Sequence, residues 1–378
     1  MEILTEKIDL NNLDKCNWET FKFYEIAQKI SKTIDPNETT LETYVGLEHI
    51  DAEDLHIRRK GTTDDVKGGK LRCYPGDIIF GKRRAYQRKA AIVDFDGICS
   101  AHAFVFRANS EVIDSKLFPF FLHSNQFMHR MVDISVGGLS PTINWGDLKH
   151  QEFLLPPKNQ QAQLAKLLWA MDEVIESEKE VLSKIKINDL SHLKHYFYDD
   201  KTSDRLKLKN IVSIKKGKQP SELLENESGV PYCKAKYLRF GVIEQSVPET
   251  SLIKSIQIND DDIIILWDGA AGEIFKGRKG VLASTMSKIE LINNEFIKDY
   301  IFEFLRFRSS SINRASVGSV IKHVDPTYFN NISVPKFSLD KQNLIVNKFN
   351  SLRLNIEICK SKIKTSQSLQ KSLINQIF

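Results

Sequence analysis

The chain has 378 residues, of which 41% are hydrophobic and 27% are charged, with a formal net charge of +5 at pH 7. This composition is that of a globular protein and excludes a disordered chain. The longest apolar stretches, such as residues 263–267, are far shorter than the roughly 20 residues of a membrane span, and residues 1–12 lack the apolar core of a signal peptide. We therefore expect two or three domains in a cytoplasmic protein without membrane association.

The first globular segment is predicted to run from about residue 18 to residue 157. It begins with a helix-like stretch at 18–31, continues with strand-like runs at 77–81 and 101–107, and ends with a second helix-like stretch at 114–132. Glycine, proline and aspartate separate these runs. The pattern predicts an α+β fold with a strongly curved sheet.

A strongly basic stretch lies inside this first segment. Residues 54–90 contain eleven Lys or Arg against four Asp, and such a patch attracts a phosphate backbone, although a solvated, charge-rich surface is the simpler alternative. Arginine and lysine favour guanine, and glutamine favours adenine. The candidate DNA-binding residues here are Arg58, Arg59, Lys60, Lys82, Arg83, Arg84, Tyr86, Gln87 and Arg88.

A long helix is predicted next, at residues 158–200. Its apolar residues alternate in steps of three and four, which is the seam of a coiled coil, interrupted once by Glu178. The seam positions are Leu164, Leu168, Met171, Ile175, Leu182 and Ile185.

The second globular segment, about residues 206–335, repeats the order of the first. It has strand-like runs at 230–240, 262–267 and 281–291 and a helix-like stretch at 294–308. Three landmarks recur at nearly constant spacing: Gly76-Asp77-Ile78-Ile79 and Asp261-Asp262-Ile263-Ile264, the two Ser-Val-Gly triplets at 135–137 and 316–318, and prolines 156 and 335. The chain is therefore predicted to be an internal duplication of two similar α/β domains related by a pseudo-twofold axis.

The loops of the second segment are also basic, and no acid occurs between residues 276 and 288. By the same chemical reasoning, its candidate DNA-binding residues are Lys215, Lys218, Gln219, Trp267, Lys276, Arg278 and Lys279.

A second long helix is predicted at residues 337–378, with its seam at Ile345, Phe349, Leu352, Ile356, Ile363 and Leu373. The two helices are most simply each other's partner in an antiparallel coiled coil that holds two similar modules apart. The predicted domains are 1–157 and 201–336 as target-binding domains, and 158–200 and 337–378 as helical spacers.

Catalytic and metal-binding signatures are weak. Residues 272–279 approach a phosphate-binding loop, but arginine stands where that loop needs lysine. The Asp325-Pro326-Thr327-Tyr328 sequence is similar to a methyltransferase motif, yet a turn with a helix cap explains it better. No Cys-x-x-Cys pair occurs, so no catalytic residue and no metal site are predicted.

The order and spacing of several pieces resemble the specificity subunit of type I restriction-modification enzymes over essentially the whole chain. The pieces are residues 44–50 (Tyr-Val-Gly-Leu-Glu-His-Ile), 76–84 (Gly-Asp-Ile-Ile-Phe-Gly-Lys-Arg-Arg), the Ser-Val-Gly triplet followed by Pro156-Pro157, and the Gln160-Gln161 entry into a long helix. The second half departs from the pattern, with Asp261 in place of Gly76.

The resemblance implies two target-recognition domains, each reading half of a split double-stranded DNA site, and a coiled coil that sets the gap and docks two modification subunits. It implies no cofactor in this chain. S-adenosylmethionine, ATP and Mg²⁺ would belong to the modification subunits and to restriction (motor-nuclease) subunits. Two alternatives from other classes stay open at this point: a stand-alone DNA-modifying enzyme, either a methyltransferase or a nuclease, and a coiled-coil scaffold without DNA readout.

Overall fold

The computed structural model describes residues 13, 15–200, 203–225, 228–252 and 255–378. The chain divides into two compact units: unit 1 comprises residues 1–179 with 361–378, and unit 2 comprises residues 180–360. Among the described residues, no helix is both long and apolar enough to cross a membrane. The segment 1–12, for which we predict no signal peptide, lies outside the described residues.

The described residues of unit 1 form eleven strands and the helices that pack on them. The strands are β1 (Glu19–Lys22), β2 (Ala27–Ile30), β3 (Thr33–Ile34), β4 (Thr43–Val45), β5 (Gly61–Thr62), β6 (Lys70–Cys73), β7 (Ile78–Gly81), β8 (Ala90–Ile92), β9 (Gly97–Cys99), β10 (Ala103–Ala108) and β11 (Glu152–Leu155). The helices are α1 (Phe23–Ile26), α2 (Phe118–His123), α3 (Asn125–Asp133), α4 (Trp145–Leu148) and α5 (Lys158–Lys194), the last of which extends into unit 2.

The central sheet of unit 1 is antiparallel, in the order β2-β10-β7-β8. A five-stranded sheet, β3-β6-β9-β4-β5, contains the parallel pair β4 and β9, and β1 pairs with β11. Phe80 and Phe106 of the central sheet pack against Phe23 and Phe127, which are fully buried. These aromatic rings form the core that holds the sheet to its helices.

Two helix predictions for unit 1 need correction. The helix expected at 18–31 is wrong, because this segment forms β1, the single turn α1 and β2, and cross-strand pairing with β11 and β10 outweighs local helix propensity. The helix expected at 114–132 is two helices. Ser124 separates them with an extended backbone, and its hydroxyl oxygen caps α3 by accepting a hydrogen bond from the Phe127 N–H at 3.2 Å.

In unit 2, ten strands lie within the part of the chain that the structure describes. They are β12 (Arg205–Lys207), β13 (Val212–Lys216), β14 (Val230–Cys233), β15 (Ser246–Val247), β16 (Gln257–Ile258), β17 (Ile263–Leu266), β18 (Ile274–Lys276), β19 (Gly280–Leu282), β20 (Met286–Leu291) and β21 (Ser333–Pro335). The helices are α6 (Ala235–Phe240), α7 (Lys298–Arg314), α8 (Pro326–Asn331) and α9 (Leu339–Ile377), the last of which extends into unit 1.

The sheets of unit 2 repeat those of unit 1. The order β13-β20-β17-β18 corresponds to β2-β10-β7-β8, the parallel pair β14 and β19 corresponds to β4 and β9, and β12 pairs with β21 as β1 pairs with β11. The predicted duplication and α+β class are confirmed. The run at 230–240 is strand only as far as Cys233, since α6 follows and ends at the left-handed Gly241, and the helix expected at 294–308 is α7.

The two long helices contribute to both units. In unit 1, Leu164 and Leu168 near the start of α5 pack with Leu373 and Ile377 near the end of α9. In unit 2, Leu193 and the π-helical turn that follows α5 pack with the start of α9 around Ile345 and Phe349. In each unit the beginning of one helix thus lies against the end of the other, as in an antiparallel pair.

Candidate nucleic-acid interface

The first candidate cluster lies on the loop between β7 and β8, residues 82–89. Arg84 and Arg88 have left-handed backbone conformations, with φ of 57° and 51°, which are rare for residues other than glycine. They flank a 3-10 turn in which Tyr86 is 55% exposed and Gln87 is half-buried. Because strained backbone concentrates at functional sites, this loop is the strongest candidate for contact with a ligand.

Lys82, Arg83 and Arg84 of this loop have no acidic partner among the described residues, and neither has Lys89, whose ammonium donates to the Leu47 carbonyl at 2.6 Å. Arg83 is exposed, and the Arg84 guanidinium donates to the neutral Ser140 hydroxyl oxygen, with Nε and Nη2 at 3.1 and 3.0 Å. The Lys82 ammonium lies 5.3 Å from the centroid of the Phe104 ring. These positive charges are therefore available to phosphates.

Lys29 of β2 belongs to the same surface, although no pattern in the sequence indicates it. Its ammonium lies 5.9 Å from the centroid of Phe104 and 5.5 Å from that of Trp145. Two effects lower the pKa of Lys82: its partial burial, which is the larger, and the positive charge of Lys29. Two ammonium groups that lie near the same aromatic ring create a positive potential that would stabilise a bound anion. Lys29 becomes visible only once β2 is known to lie beside β10.

The other basic candidates of unit 1 are engaged in ion pairs. Hydrogen bonds from Arg58 are the main reason that the pKa of Glu176 falls to about 2. An arginine whose charge is compensated in this way offers less to a phosphate than an unpaired one. The pairs are Arg58 with Asp54 and Glu176, Arg59 with Asp51, Lys60 with Asp94, and Arg88 with Glu53.

The candidates of unit 2 do not form one cluster. Lys276 pairs with Ile263 at the start of β17, whereas Trp267 follows the end of that strand, so the two lie roughly 13 Å apart along it. Arg278 and Lys279 continue from Lys276. Lys218 and Gln219 belong to the Trp267 end, because the preceding Gly217 N–H donates to the carbonyl of Met286, which is paired with Leu266.

Several of these side chains already have partners within unit 2. Trp267 is half-buried and packs against the core, with its ring 5.8 Å from that of Phe329. The remaining engaged candidates are Lys215, paired with Glu290, Lys276, paired with Asp299, and Gln219, which accepts from the Tyr232 hydroxyl. Lys218, Arg278 and Lys279 have no acidic partner among the described residues and are exposed.

An exposed aromatic residue directly precedes a backbone position that lies beside Arg278. Phe240 ends α6 and is 71% exposed. Gly241 follows it, and a β-carbon on Gly241 would lie 3.3 Å from a guanidinium nitrogen of Arg278. A ring beside a cation is suited to stacking on a base. A basic residue next to an aromatic one, as in Arg239-Phe240, is the sequence signal that could have marked Phe240 as a candidate.

A loop-to-loop contact is repeated in both units. Arg83 forms a β-bridge with Thr142, and the Arg84 N–H donates to Pro141 O at 2.7 Å. In unit 2, Asp268 forms the corresponding bridge with His323 and Gly269 N–H donates to the carbonyl of Lys322 at 2.8 Å. Arg83 and Arg84 therefore occupy the same structural positions as Asp268 and Gly269.

The methyltransferase-like Asp325 sequence has a structural role. One Asp325 carboxylate oxygen accepts hydrogen bonds from the Thr327 and Tyr328 N–H groups at 2.8 and 3.3 Å, so it caps α8. Among the described residues, no group of three or more His, Cys, Asp or Glu is placed to hold a metal ion.

None of the twelve predicted seam positions of the two long helices is exposed. Six are buried: Leu164, Leu168, Ile175, Ile345, Phe349 and Leu373. Six are half-buried: Met171, Leu182, Ile185, Leu352, Ile356 and Ile363.

Known proteins resemble this chain throughout. A family model described as the type I restriction modification DNA specificity domain matches it twice, at residues 15–187 and 201–366. The chain is 32% identical over 176 residues to the type I restriction enzyme MjaVIII specificity subunit of Methanocaldococcus jannaschii, a match that covers 46% of this chain and 41% of that protein. It is 24% identical over 366 residues to the putative MjaX specificity subunit of the same organism, covering 87% and 84%.

Two solved structures share the fold. A chain from a structure describing complex assembly and conformational transition of the type I restriction-modification system aligns with a TM-score of 0.62 at 16% identity, covering 95% of this chain and 97% of that one. The S subunit of a type I restriction-modification system from M. genitalium aligns with a TM-score of 0.58 at 18% identity, covering 96% of each chain.

Proposed function

Since this chain belongs to the family of type I restriction-modification DNA specificity domains, we propose that it is a specificity subunit that binds double-stranded DNA, each unit reading half of a bipartite site. One observation carries the proposal: the two units share their sheet order and loop-to-loop contact, yet the loops differ in charge. Arg83 and Arg84 stand where unit 2 has Asp268 and Gly269. A common frame with different loop chemistry suits two different half-sites.

Most contacts of the basic side chains would go to phosphates, since half or more of protein-DNA hydrogen bonds are made to the backbone. Tyr86 and Phe240 would add contacts to bases, because both residues are exposed, Tyr86 in the loop that carries Arg83 and Arg84 and Phe240 next to Gly241, which lies beside Arg278. Of the basic residues selected from the sequence, those without an acidic side-chain partner in the described part of the chain are Lys82, Arg83, Arg84, Lys218, Arg278 and Lys279, and we assign these six to DNA binding.

The long helices would set the gap between the half-sites and carry the partner subunits. Both α5 and α9 contribute to both units, so their length fixes how much chain separates the two recognition bodies. Their outer surfaces keep large apolar side chains in solvent: Val174, Val181, Ile187, Leu190, Leu344, Leu354, Ile358 and Leu369. Exposed apolar side chains along a helix are typical of a protein interface, and we assign them to two modification subunits.

The chain itself would recognise the DNA sequence and would catalyse no reaction. S-adenosylmethionine would be bound by the modification subunits, and ATP with Mg²⁺ would be used by the restriction subunits, in a cytoplasmic complex. The use of the Asp325 carboxylate as a helix cap supports a non-catalytic chain, since that carboxylate already accepts two backbone hydrogen bonds.

The test is to express the chain with its modification subunits and to map methylated bases across the host genome by single-molecule sequencing. We expect one bipartite motif with a fixed gap. A matched variant carrying Arg83→Glu and Arg84→Glu should lose methylation of the half-site read by unit 1, because the added acids repel phosphates.

Two outcomes would contradict the proposal. Methyl transfer by the isolated chain, abolished by Asp325→Ala, would indicate a stand-alone enzyme. Full methylation in the Arg83→Glu, Arg84→Glu variant, together with intact assembly, would indicate a scaffold that does not touch DNA through this loop.

A further inference from the structure

A hairpin in unit 1 carries an apolar side chain in full solvent. Val136 and Thr142 exchange backbone hydrogen bonds at 3.1 and 2.9 Å and close the hairpin. Gly137 begins its turn with φ of 114°. Leu139 at the tip is 97% exposed. Full exposure of a leucine brings no folding benefit, because it buries no apolar surface in the unit.

Unit 2 repeats this arrangement with a different sequence. Val317 and His323 exchange backbone hydrogen bonds at 2.9 and 2.7 Å, and Gly318 has φ of 108°. A β-carbon at Gly318 would lie 2.2 Å from the carbonyl oxygen of Ile321, so the turn requires glycine. The tip residue, Val320, is 94% exposed.

Both hairpins are held against the candidate DNA-binding loops. In unit 1, Ile143 N–H donates to the carbonyl of Lys82 at 2.9 Å, in addition to the contacts of Arg83 and Arg84 described above. In unit 2, Val324 N–H donates to the carbonyl of Trp267 at 2.9 Å. Backbone hydrogen bonds to the candidate DNA-binding loops therefore hold each hairpin, and with it the residue at its tip, in a fixed position.

The surroundings of the tips suit a polyanion. Residues 136–142 contain no charged side chain and adjoin Arg83 and Arg84. Residues 317–323 contain Lys322 and no acid, and the adjoining Asp268 carboxylate is paired with His323 and Lys216.

Val136 in unit 1, and Val317 and Ile321 in unit 2, are also exposed, by 50 to 57%. A protein partner typically needs about 800 Å² of surface on each side, which is far more than these few side chains offer. One apolar side chain that protrudes beyond its neighbours, with cations nearby, is instead the arrangement of proteins that wedge DNA base steps apart.

We infer that Leu139 and Val320 are apolar wedges that insert at a base step, one in each half-site. This inference rests on the proposed DNA binding. Since the tips are apolar in both units while the adjoining loops differ in charge, the wedges would act independently of the base sequence and would stabilise a locally opened duplex.

The experiment uses the complex with its modification subunits and duplexes that carry 2-aminopurine at successive positions across the bipartite site. We expect a fluorescence increase at one step in each half-site, where stacking is lost. Leu139→Ala should abolish the increase in the half-site of unit 1 only, and Val320→Ala that of unit 2 only. Removing three carbons at Leu139 should weaken DNA binding roughly ten- to fiftyfold.

Ile292→Ala is the matched control, because Ile292 is an exposed apolar residue outside both hairpins. Bipartite binding by the unaltered complex without any fluorescence change would overturn the wedges and leave the proposed function intact. Loss of subunit assembly in Leu139→Ala with unchanged DNA affinity would also overturn them, in favour of protein docking. Absence of any bipartite preference in the unaltered complex would overturn both proposals.

Discussion

Gln161 and Gln342 make the same three hydrogen bonds at the starts of the two long helices. The Gln161 side-chain oxygen accepts from the Asp114 N–H at 2.6 Å, and that of Gln342 accepts from the Ile297 N–H at 2.8 Å. Each amide nitrogen donates to two carbonyl oxygens, those of Val112 and Pro156 in unit 1 and those of Glu295 and Phe337 in unit 2. Each buried glutamine thereby ties a long helix to the body of its unit.

Gln161→Ala and Gln342→Ala should each destabilise the unit concerned by about 2 to 4 kcal/mol. Truncation removes three hydrogen bonds of a buried side chain, one of which satisfies a buried carbonyl, that of Pro156 or of Phe337. Urea unfolding measures this change. Gln163→Ala is the matched control, since Gln163 lies exposed on the same helix as Gln161, and it should change the free energy of unfolding by less than about 0.5 kcal/mol. Equal effects of Gln161→Ala and Gln163→Ala would show that the hydrogen bonds contribute nothing.

The duplication and the helices could be predicted because their signal is repetitive. The Gln160-Gln161 pair marks the entry to α5, and the three-and-four spacing selects positions that the structure buries or half-buries, Leu164 and Phe349 among them. The spacing of apolar residues depends on which face of a helix is buried, so the buried face can be predicted even when its packing partner is unknown.

The rest depends on contacts between residues distant in sequence. Residues 18–31 are strands because β10 and β11 are available to pair with them. Arg58 looks like a phosphate ligand in a basic run, yet Glu176 compensates its charge from α5. The exposed Leu139 has no periodic signal at all. Local composition cannot distinguish a paired charge from a free one, and this limits prediction of the site.

Stability of unit 1 should depend on pH through His56. Its Nε2 lies 2.7 Å from a carboxylate oxygen of Asp172, and this hydrogen bond raises the pKa of His56. The hydrogen bond between His56 and Asp172 therefore stabilises unit 1 fully below the pKa of His56 in the unfolded chain, about 6.5. This stabilisation is lost as the pH rises through the higher pKa of His56 in the folded protein. The difference in melting temperature between the unaltered chain and His56→Gln should therefore be largest at pH 6 and shrink by pH 9.

The buried His123 acts in the opposite direction, since burial lowers its pKa, but it is common to both proteins and cancels in the difference. His129→Gln, which alters an exposed histidine on α3, is the control and should give a flat difference. A His56→Gln difference that grows with pH would contradict the assignment.

Unit 2 depends on the buried Glu303, which is 0% exposed. Arg306 Nε donates to it at 2.8 Å, and Arg353 of α9 contacts its other carboxylate oxygen. Glu303→Ala should cost about 1 to 3 kcal/mol, because the half-buried Arg353 loses its carboxylate partner, whereas Arg306 keeps its ion pair with Asp189. Glu303→Ala with Arg353→Met should cost less than the two single changes added together. Glu357→Ala, an exposed acid on α9, should cost under about 0.5 kcal/mol, and additive costs in the pair would refute the coupling.

Arg83→Ala should weaken DNA binding and reduce the slope of log K against log salt by about 1, as expected when one phosphate contact is lost. Fluorescence anisotropy over a range of salt concentrations measures both. Arg59→Ala is the matched control, since Arg59 is already paired with Asp51 at 2.6 Å. If Arg59→Ala lowers the slope and Arg83→Ala does not, the assignment of DNA contacts by missing ion pairs is wrong.

Lengthening both long helices should change the gap in the DNA target. Insertion of four helix-forming residues after Lys179 in α5, with four more after Lys360 in α9, keeps the two helices matched and adds about 6 Å, or roughly two base-pair steps. Methylome sequencing should then report both original half-sites with a different gap. Replacing four existing residues at each place without changing the length is the control and should leave the gap unchanged. Because the recognition loops lie outside both helices, altered half-site bases would show that reading and spacing are not separate functions.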